Sequence, residues 1–228
     1  MPSNRVLFAL TSHDKLGDTD RSTGAYAPEI AHPAKVFTDA GFDFDFVSVS
    51  GGRPPLDGIK PDDEITQAFL RDPVVAAELA LTRTADQLDP ADYAVIYFAG
   101  GHGTMWDFPG AAELSSLAAR IYQAGGVIAA VCHGPAALLG ITQSNGTPIV
   151  AGRRVSSFTN DEETAVGLID VVPFHLETEL VKQGACHEKA ANFAEHAVAD
   201  GQLVTGQNPA SAAKVAHLAL ALTPAVVG

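Results

Sequence analysis

The sequence predicts a doubly wound α/β fold, a mostly parallel sheet with helices on both faces, with residues 1–228 forming one domain. Three observations carry that expectation. Short apolar runs alternate with longer helical patterns along the chain. Two of those runs, YAVIYFAGG (Tyr93 to Gly101) and GVIAAV (Gly126 to Val131), are apolar almost throughout, the mark of strands buried on both faces. No internal repeat, low-complexity tract or long linker divides the chain.

Taken in order, RVLFAL (Arg5 to Leu10) reads as the first strand. APEIAHPAKVFTDAGF reads as a helix ending near Gly41, and FDFDFVSVS alternates with the period of two that a strand requires. GGRPPLDGIKPDD is a Pro/Gly-rich loop, and PVVAAELALTRTADQL a helix. After the first buried strand, ELSSLAARIYQAGG is a helix with a glycine stop. The run GPAALL after the second buried strand also reads as helix. IVAG, RVSSF and IDVVPF read as short strands, and ETELVKQGACHEKAA as partly helical. QLVTG is a late strand, and PASAAKVAHLALALT an amphipathic closing helix.

Composition narrows the function. A formal net charge of -13 with no lysine/arginine cluster excludes a phosphate-backbone partner, so no nucleic acid is expected. A hydrophobic content of 46% with 18% charged residues describes a soluble globular chain. No apolar run approaches the roughly 20 residues that span a bilayer, so no membrane association is expected. MPSNRVLFALTSHD has no cleavage pattern, so no signal peptide is read and a cytoplasmic location is expected. Two cysteines, Cys132 and Cys186, are too few for a disulfide scaffold.

The sharpest break in the pattern is VIAAV-Cys132-His133-Gly134-Pro135. In a parallel sheet, ligands bind beyond the carboxyl ends of the strands, and Cys132 sits at that edge. A nucleophile on a strand-to-helix turn is held out of the sheet beside backbone N–H groups. A helix N-terminus and an imidazole are expected to lower the thiol's pKa below its ordinary value of about 8.5. The alternative is that Cys132 is one more small buried apolar residue. The adjacent histidine, expensive at the mouth of a buried strand unless paired, favours the nucleophile. Cys186 in QGACHEKA also precedes a histidine but lacks the break and the glycine, and reads as a structural or surface thiol. Eight histidines without an HExxH or a close pair give no reason to expect a metal.

The elbow AVCHGPAALL resembles the ThiJ/PfpI superfamily, whose fold is like that of class I glutamine amidotransferase domains. TGAYAPEIAHP, AGGHGTMWDFP, SSFTNDEE and DGQLVTGQNPASA resemble further segments of that family in the expected order. The resemblance is to the heat-shock chaperone and glyoxalase III branch. It implies a cofactor-independent enzyme acting on small 2-oxoaldehydes such as methylglyoxal, possessing a catalytic cysteine, and forming a homodimer. Ala136 stands where a glutaminase of the related fold would carry glutamine, and the late His-Pro-Glu is missing, which disfavours glutamine hydrolysis.

The resemblance also assigns roles. Glu29 in TGAYAPEIAHP is the expected proton shuttle, because a carboxyl group in an apolar pocket has a raised pKa. His133 is expected to hold or accept the cysteine proton, oriented by a carboxylate from NDEE. That carboxylate is Glu163 by the family segment, with Glu162 and Asp161 near enough to be confused with it. Gly100 and Gly101 are expected to give an N–H to an oxyanion hole alongside His133 N–H. His102 either lines the pocket or bonds the loop, Trp106 and Phe108 form wall or core, and Tyr26 closes the pocket from the Glu29 side. The same elbow would also serve a cysteine hydrolase (amidase, peptidase or deglycase), and a low-pKa thiol would suit a holding chaperone or redox sensor.

Overall fold

The computed structural model describes residues 3–223; Met1 and Pro2, part of the stretch read for a leader, lie outside it, as do residues 224–228. Strand β1 (Arg5–Leu10) is followed by the two-residue β2 (Ala25–Tyr26), α1 (Pro28–Asp39) and β3 (Asp43–Ser48). Next come β4 (Leu56–Asp57), α2 (Glu64–Arg71), α3 (Pro73–Ala80), β5 (Val95–Phe98), α4 (Thr104–Asp107), α5 (Ala112–Gln123) and β6 (Val127–Val131). The last part holds β7 (Arg154–Val155), α6 (Asn160–Ala165), α7 (Leu176–Lys182), β8 (Cys186–His187), β9 (Ala197–Asp200), β10 (Leu203–Gly206) and α8 (Ala212–Leu222).

Six strands form the central sheet in the order β3-β1-β5-β6-β10-β9. All neighbours are parallel except β9, which runs antiparallel to β10. The parallel strands are covered on both faces, as their apolar runs require. One face packs Phe8, Tyr97 and Val131 against Ile30 and Phe37 of α1 and Val215 and Ala219 of α8. The other packs Ile96, Phe98 and Ile128 against Leu117 and Ile121 of α5 and Leu138 beyond the elbow. The mostly parallel sheet with flanking helices is the predicted architecture.

Several local expectations are corrected. Helix α2 is an element the apolar pattern does not predict; Asp63 caps it by accepting the Thr66 N–H at 3.1 Å. The helix predicted to run through Leu88 ends at Ala80, because Thr82 turns away to bond Gly52 through both N–H and Oγ1. IVAG and IDVVPF are turns: Ala151 N–H reaches Pro148 O, and Val171 and Val172 N–H both reach Leu168 O. Strand β9 is a further addition, since Ala197–Asp200 is a short edge strand without a continuous apolar run. The segment after the elbow, Gly134–Gly140, is a seven-residue 3₁₀ helix rather than an α-helix.

Candidate active site

Strand β6 ends in the middle of the sheet, and the next residue, Cys132, has φ 59. A left-handed conformation at a residue with a side chain costs about 1–3 kcal/mol and persists only where its surroundings hold it. Here Cys132 N–H donates to Gly206 O at 3.0 Å, and Cys132 O accepts the Phe158 N–H at 2.8 Å. Both neighbours of the elbow therefore fix its backbone. The twist turns Sγ out of the strand line, leaving Cys132 4% exposed.

His133 follows at the start of the 3₁₀ turn, its Nδ1 3.3 Å from Cys132 Sγ. Consecutive side chains usually diverge; the left-handed cysteine lets this pair meet. The far side of the ring, Nε2, lies 2.7 Å from Glu163 Oε2. His102, from the loop after β5, brings its Nε2 within 2.8 Å of the other oxygen, Oε1. An ionised carboxylate only accepts, so both Nε2 atoms carry the proton and His133 Nδ1 is left as the acceptor facing the thiol.

The ionisation states agree. Burial would raise the Glu163 pKa, but hydrogen bonds from His102 and His133 and their charge overcome it and bring it to about 2. Burial, with the charge of His102, lowers His133 to about 4. Near neutrality the pair is thus carboxylate and neutral imidazole. Phe158, in the SSFTNDEE segment, packs its ring on His133 with centroids 4.4 Å apart. Thr104, which no motif singles out, donates through Oγ1 toward Gly101 O at 2.9 Å and His133 O at 3.1 Å, tying the β5 loop to the elbow.

Glu29, in the first turn of α1, is fully buried. Its Oε2 accepts the Gly100 N–H at 2.8 Å. Oε1 has no partner in ordinary hydrogen-bond geometry among the described residues, and the polar group coupled to this carboxyl is the Cys132 thiol. Burial pushes the Glu29 pKa up to about 8, against the pull of the thiol and the Gly100 N–H. A β-carbon at Gly100 would lie 2.5 Å from Glu29 Oε2, 2.7 Å from Val131 O and 2.9 Å from Cys132 Cβ. Only glycine lets these three meet.

Two expectations change here. The thiol pKa is raised, not lowered: burial comes first, then the charge and hydrogen bonding of Glu29. The resting group is a thiol, because burial and the Glu29 carboxyl beside the sulfur both disfavour the anion. The Gly100 N–H, expected in an oxyanion hole, is taken by Glu29.

The remaining candidates separate cleanly. Tyr26 bonds Gly100 O through its N–H at 3.0 Å, and its phenol pKa is raised by burial and then by Glu29 and Cys132. Trp106 stacks on His13 with centroids 5.1 Å apart. Phe108 is core against Phe98. Of the acidic run, Asp161 pairs with Lys189 at the surface. Glu162 is buried and bonds Thr159, Phe193 and Asn208. Glu163 alone reaches the histidines. His102 and His133, far apart in sequence, bring their donor atoms together with Glu163 within 4.8 Å, a convergence that spacing could not reveal. Cys186 is exposed. A groove of about 560 Å³ between α1, α2 and α3 is lined by Ala34, Phe44, Ile65 and Phe69 and shares none of these site residues.

A parallel α/β sheet whose central strand ends in a left-handed cysteine, with imidazole and carboxylate in line behind it, defines a class of cysteine-centred proteins on this fold. The sequence matches the DJ-1/PfpI family over residues 23–222, and the chain belongs to that family. It is 35% identical to the glutathione-independent glyoxalase HSP31 of Saccharomyces cerevisiae, covering 93% of this chain and 94% of that protein. It is 32% identical to glyoxalase 3 of Candida albicans, covering 93% and 95%. Among solved structures, glyoxalase III of Candida albicans superposes with a TM-score of 0.89 at 31% identity, covering 96% and 97% of the two chains. The Rapid Encystment Protein 24 kDa of Francisella tularensis superposes with a TM-score of 0.92 at 38% identity, covering 96% and 99%. Among the described residues, no helix is long and apolar enough to cross a membrane.

Proposed function

We propose that this chain is a glutathione-independent glyoxalase that converts methylglyoxal and similar small 2-oxoaldehydes to 2-hydroxy acids. The relatives named above support the reaction class. The observation that carries the mechanism is the line Cys132 Sγ–His133 Nδ1 at 3.3 Å and His133 Nε2–Glu163 Oε2 at 2.7 Å, with the protonated Glu29 carboxyl on the other side of the sulfur.

In this reading Cys132 attacks the aldehyde carbon. The S–C bond forms, the thiol proton passes to His133 Nδ1, and Glu29 gives its proton to the aldehyde oxygen, leaving a hemithioacetal. The Glu29 carboxylate then takes the C1 proton and returns it to C2, while the hydroxyl proton moves from O1 to O2. C1 is oxidised to a thioester and C2 reduced to an alcohol, so no external oxidant or reductant takes part. Water cleaves the thioester, releasing the 2-hydroxy acid and restoring the thiol, and His133 returns its proton to the Glu29 side. Burial of the site suits this chemistry, since a mobile proton on an enediol is protected from bulk water.

The test is lactate formation from methylglyoxal without glutathione or any added cofactor. Wild type should yield one lactate per methylglyoxal, and Cys132→Ala should lose roughly a thousandfold or more of the rate. Loss of methylglyoxal without lactate in wild type would end the proposal, and release of amine or peptide products would assign a hydrolase instead. A homodimer, the commonest assembly of soluble chains, belongs to the same reading and is checked by light scattering.

A further inference from the structure

We propose that His102, His133 and Glu163 form a binding site for a divalent transition metal of the zinc class, and that occupancy arrests the enzyme. Among the described residues, this is the group in which three potential ligand side chains bring their donor atoms within 4.8 Å of one another. Two imidazoles and one carboxylate are a donor set that zinc takes readily, with a fourth position left to water.

His102 Nε2 and His133 Nε2 lie 2.8 Å and 2.7 Å from the two oxygens of one carboxylate, so all the donor atoms aim at one region. The rings lie side by side, with centroids 4.1 Å apart, which lets the two nitrogens approach one centre from the same side. With zinc–ligand bonds of about 2.0–2.1 Å in a tetrahedron, adjacent donors stand about 3.3 Å apart. The nitrogen–oxygen separations therefore need to open by about half an ångström. His102 can supply that movement. Its side chain is 21% exposed, whereas His133 and Glu163 are 1% and 6% exposed, so the ion also enters on the His102 side. The thiol is not among the converging donors.

Coordination changes what His133 can do. At present its Nε2–H donates to Glu163, and Nδ1, 3.3 Å from Sγ, is free to accept. A metal on Nε2 leaves the ring proton on Nδ1, and the imidazole can then no longer accept the thiol proton. The metal would also hold the carboxylate that orients the ring. The arrest, but not the binding, rests on the reading that Cys132 and His133 carry the reaction.

Isothermal titration of the metal-free full chain with Zn²⁺, together with visible spectra of the Co²⁺ form, tests the site apart from turnover. Wild type should bind one Zn²⁺ with micromolar or tighter affinity and give the intense bands of four-coordinate cobalt. His102→Ala and His102→Gln, at a partly exposed position, should each weaken binding at least tenfold while leaving the thermal melt close to wild type, a ligand loss being no milder than loss of an outer-sphere partner. Cys132→Ser should bind within threefold of wild type. In the active enzyme, Zn²⁺ should abolish lactate formation in parallel with occupancy, and a chelator should restore it. The proposal is overturned if wild type binds no Zn²⁺ below millimolar concentration, or if Cys132→Ser loses the metal while the His102 variants keep it. If methylglyoxal turnover were absent altogether, the titration and the cobalt spectrum would still decide the site.

Discussion

Glu29 is a carboxyl group with no exposure, one backbone N–H and a thiol for company. Its folded pKa of about 8 stands above the ordinary carboxylate value of 4.5, so the native state binds this proton more tightly than the unfolded chain. The stability it contributes is fully present below pH 4.5 and is lost as pH rises through about 8. Glu29→Gln keeps the shape and removes the charge. It should raise the Tm at pH 8.5 by roughly 3–6 °C, taking about 1.5 kcal/mol at about 2–4 °C per kcal/mol, and flatten the decline of Tm between pH 5 and 9. Thermal melts across that range check it; a variant that melts at or below wild type at pH 8.5 would refute the buried-acid reading. The same substitution should lower the rate by about 10²-fold or more, because Gln can neither give nor take the shuttled proton. The wild-type profile of kcat/KM should then fall on the acid side as His133 is protonated near 4 and on the alkaline side as Glu29 loses its proton near 8. An alkaline limb that persists unchanged in Glu29→Gln would assign it to another group.

The elbow shows why some elements were legible and others were not. VIAAV is apolar at every position and is buried at every position, so its place in the sheet could be read directly. The next segment could not be read that way. GPAALLG has the composition of a helix, yet it turns as a 3₁₀ segment packed against the end of β5, and that contact is tertiary. Gly134 carries it: a β-carbon there would stand 2.2 Å from Phe98 O, inside the backbone of the neighbouring strand. A backbone clash of this kind cannot relax by a rotamer change. Gly134→Ala should therefore destabilise by about 2 kcal/mol or more, a fall of roughly 4–8 °C in Tm, and pull Cys132 out of register with His133. Gly110, where an added methyl would meet nothing within 4 Å, provides the control: Gly110→Ala should leave the Tm within about 2 °C. Equal melting of the two variants would remove close packing as the reason for glycine at 134. The left-handed cysteine itself had no sequence signature, since backbone contacts from Gly206 and Phe158, both distant in sequence, hold it.

At the scale of the whole molecule, the site is assembled from segments that the sequence places far apart, and one buried side chain holds several of them together. Adjacency identified the thiol and imidazole, but the choice among Asp161, Glu162 and Glu163 depended on which way a short helix faces. That direction is set by Glu162, not by Glu163. Its Oε2 accepts the Thr159 N–H at 3.0 Å and the hydroxyl at 2.9 Å, closing a reciprocal cap at the start of α6. Its Oε1 accepts the Phe193 N–H at 2.7 Å and Asn208 Nδ2 at 2.9 Å, from the loop before β9 and the turn after β10. Four donors converge on a carboxylate that is 0% exposed, so truncation leaves them unpaired in the interior, where each unsatisfied group costs about 1–3 kcal/mol. Glu162→Gln can still accept at one oxygen but offers an N–H₂ to donors at the other, while Glu162→Ala offers nothing. Stability should fall in the order wild type, Glu162→Gln, Glu162→Ala, with a loss of roughly 3 kcal/mol or more for alanine measured by urea denaturation. Activity should fall with it even at temperatures where both variants are folded, because a rotated α6 withdraws Glu163 from His133 and leaves the imidazole without its orienting acceptor. A folded Glu162→Ala protein with wild-type kcat would mean that Glu163 keeps its place without this anchor, and that α6 is positioned by packing alone.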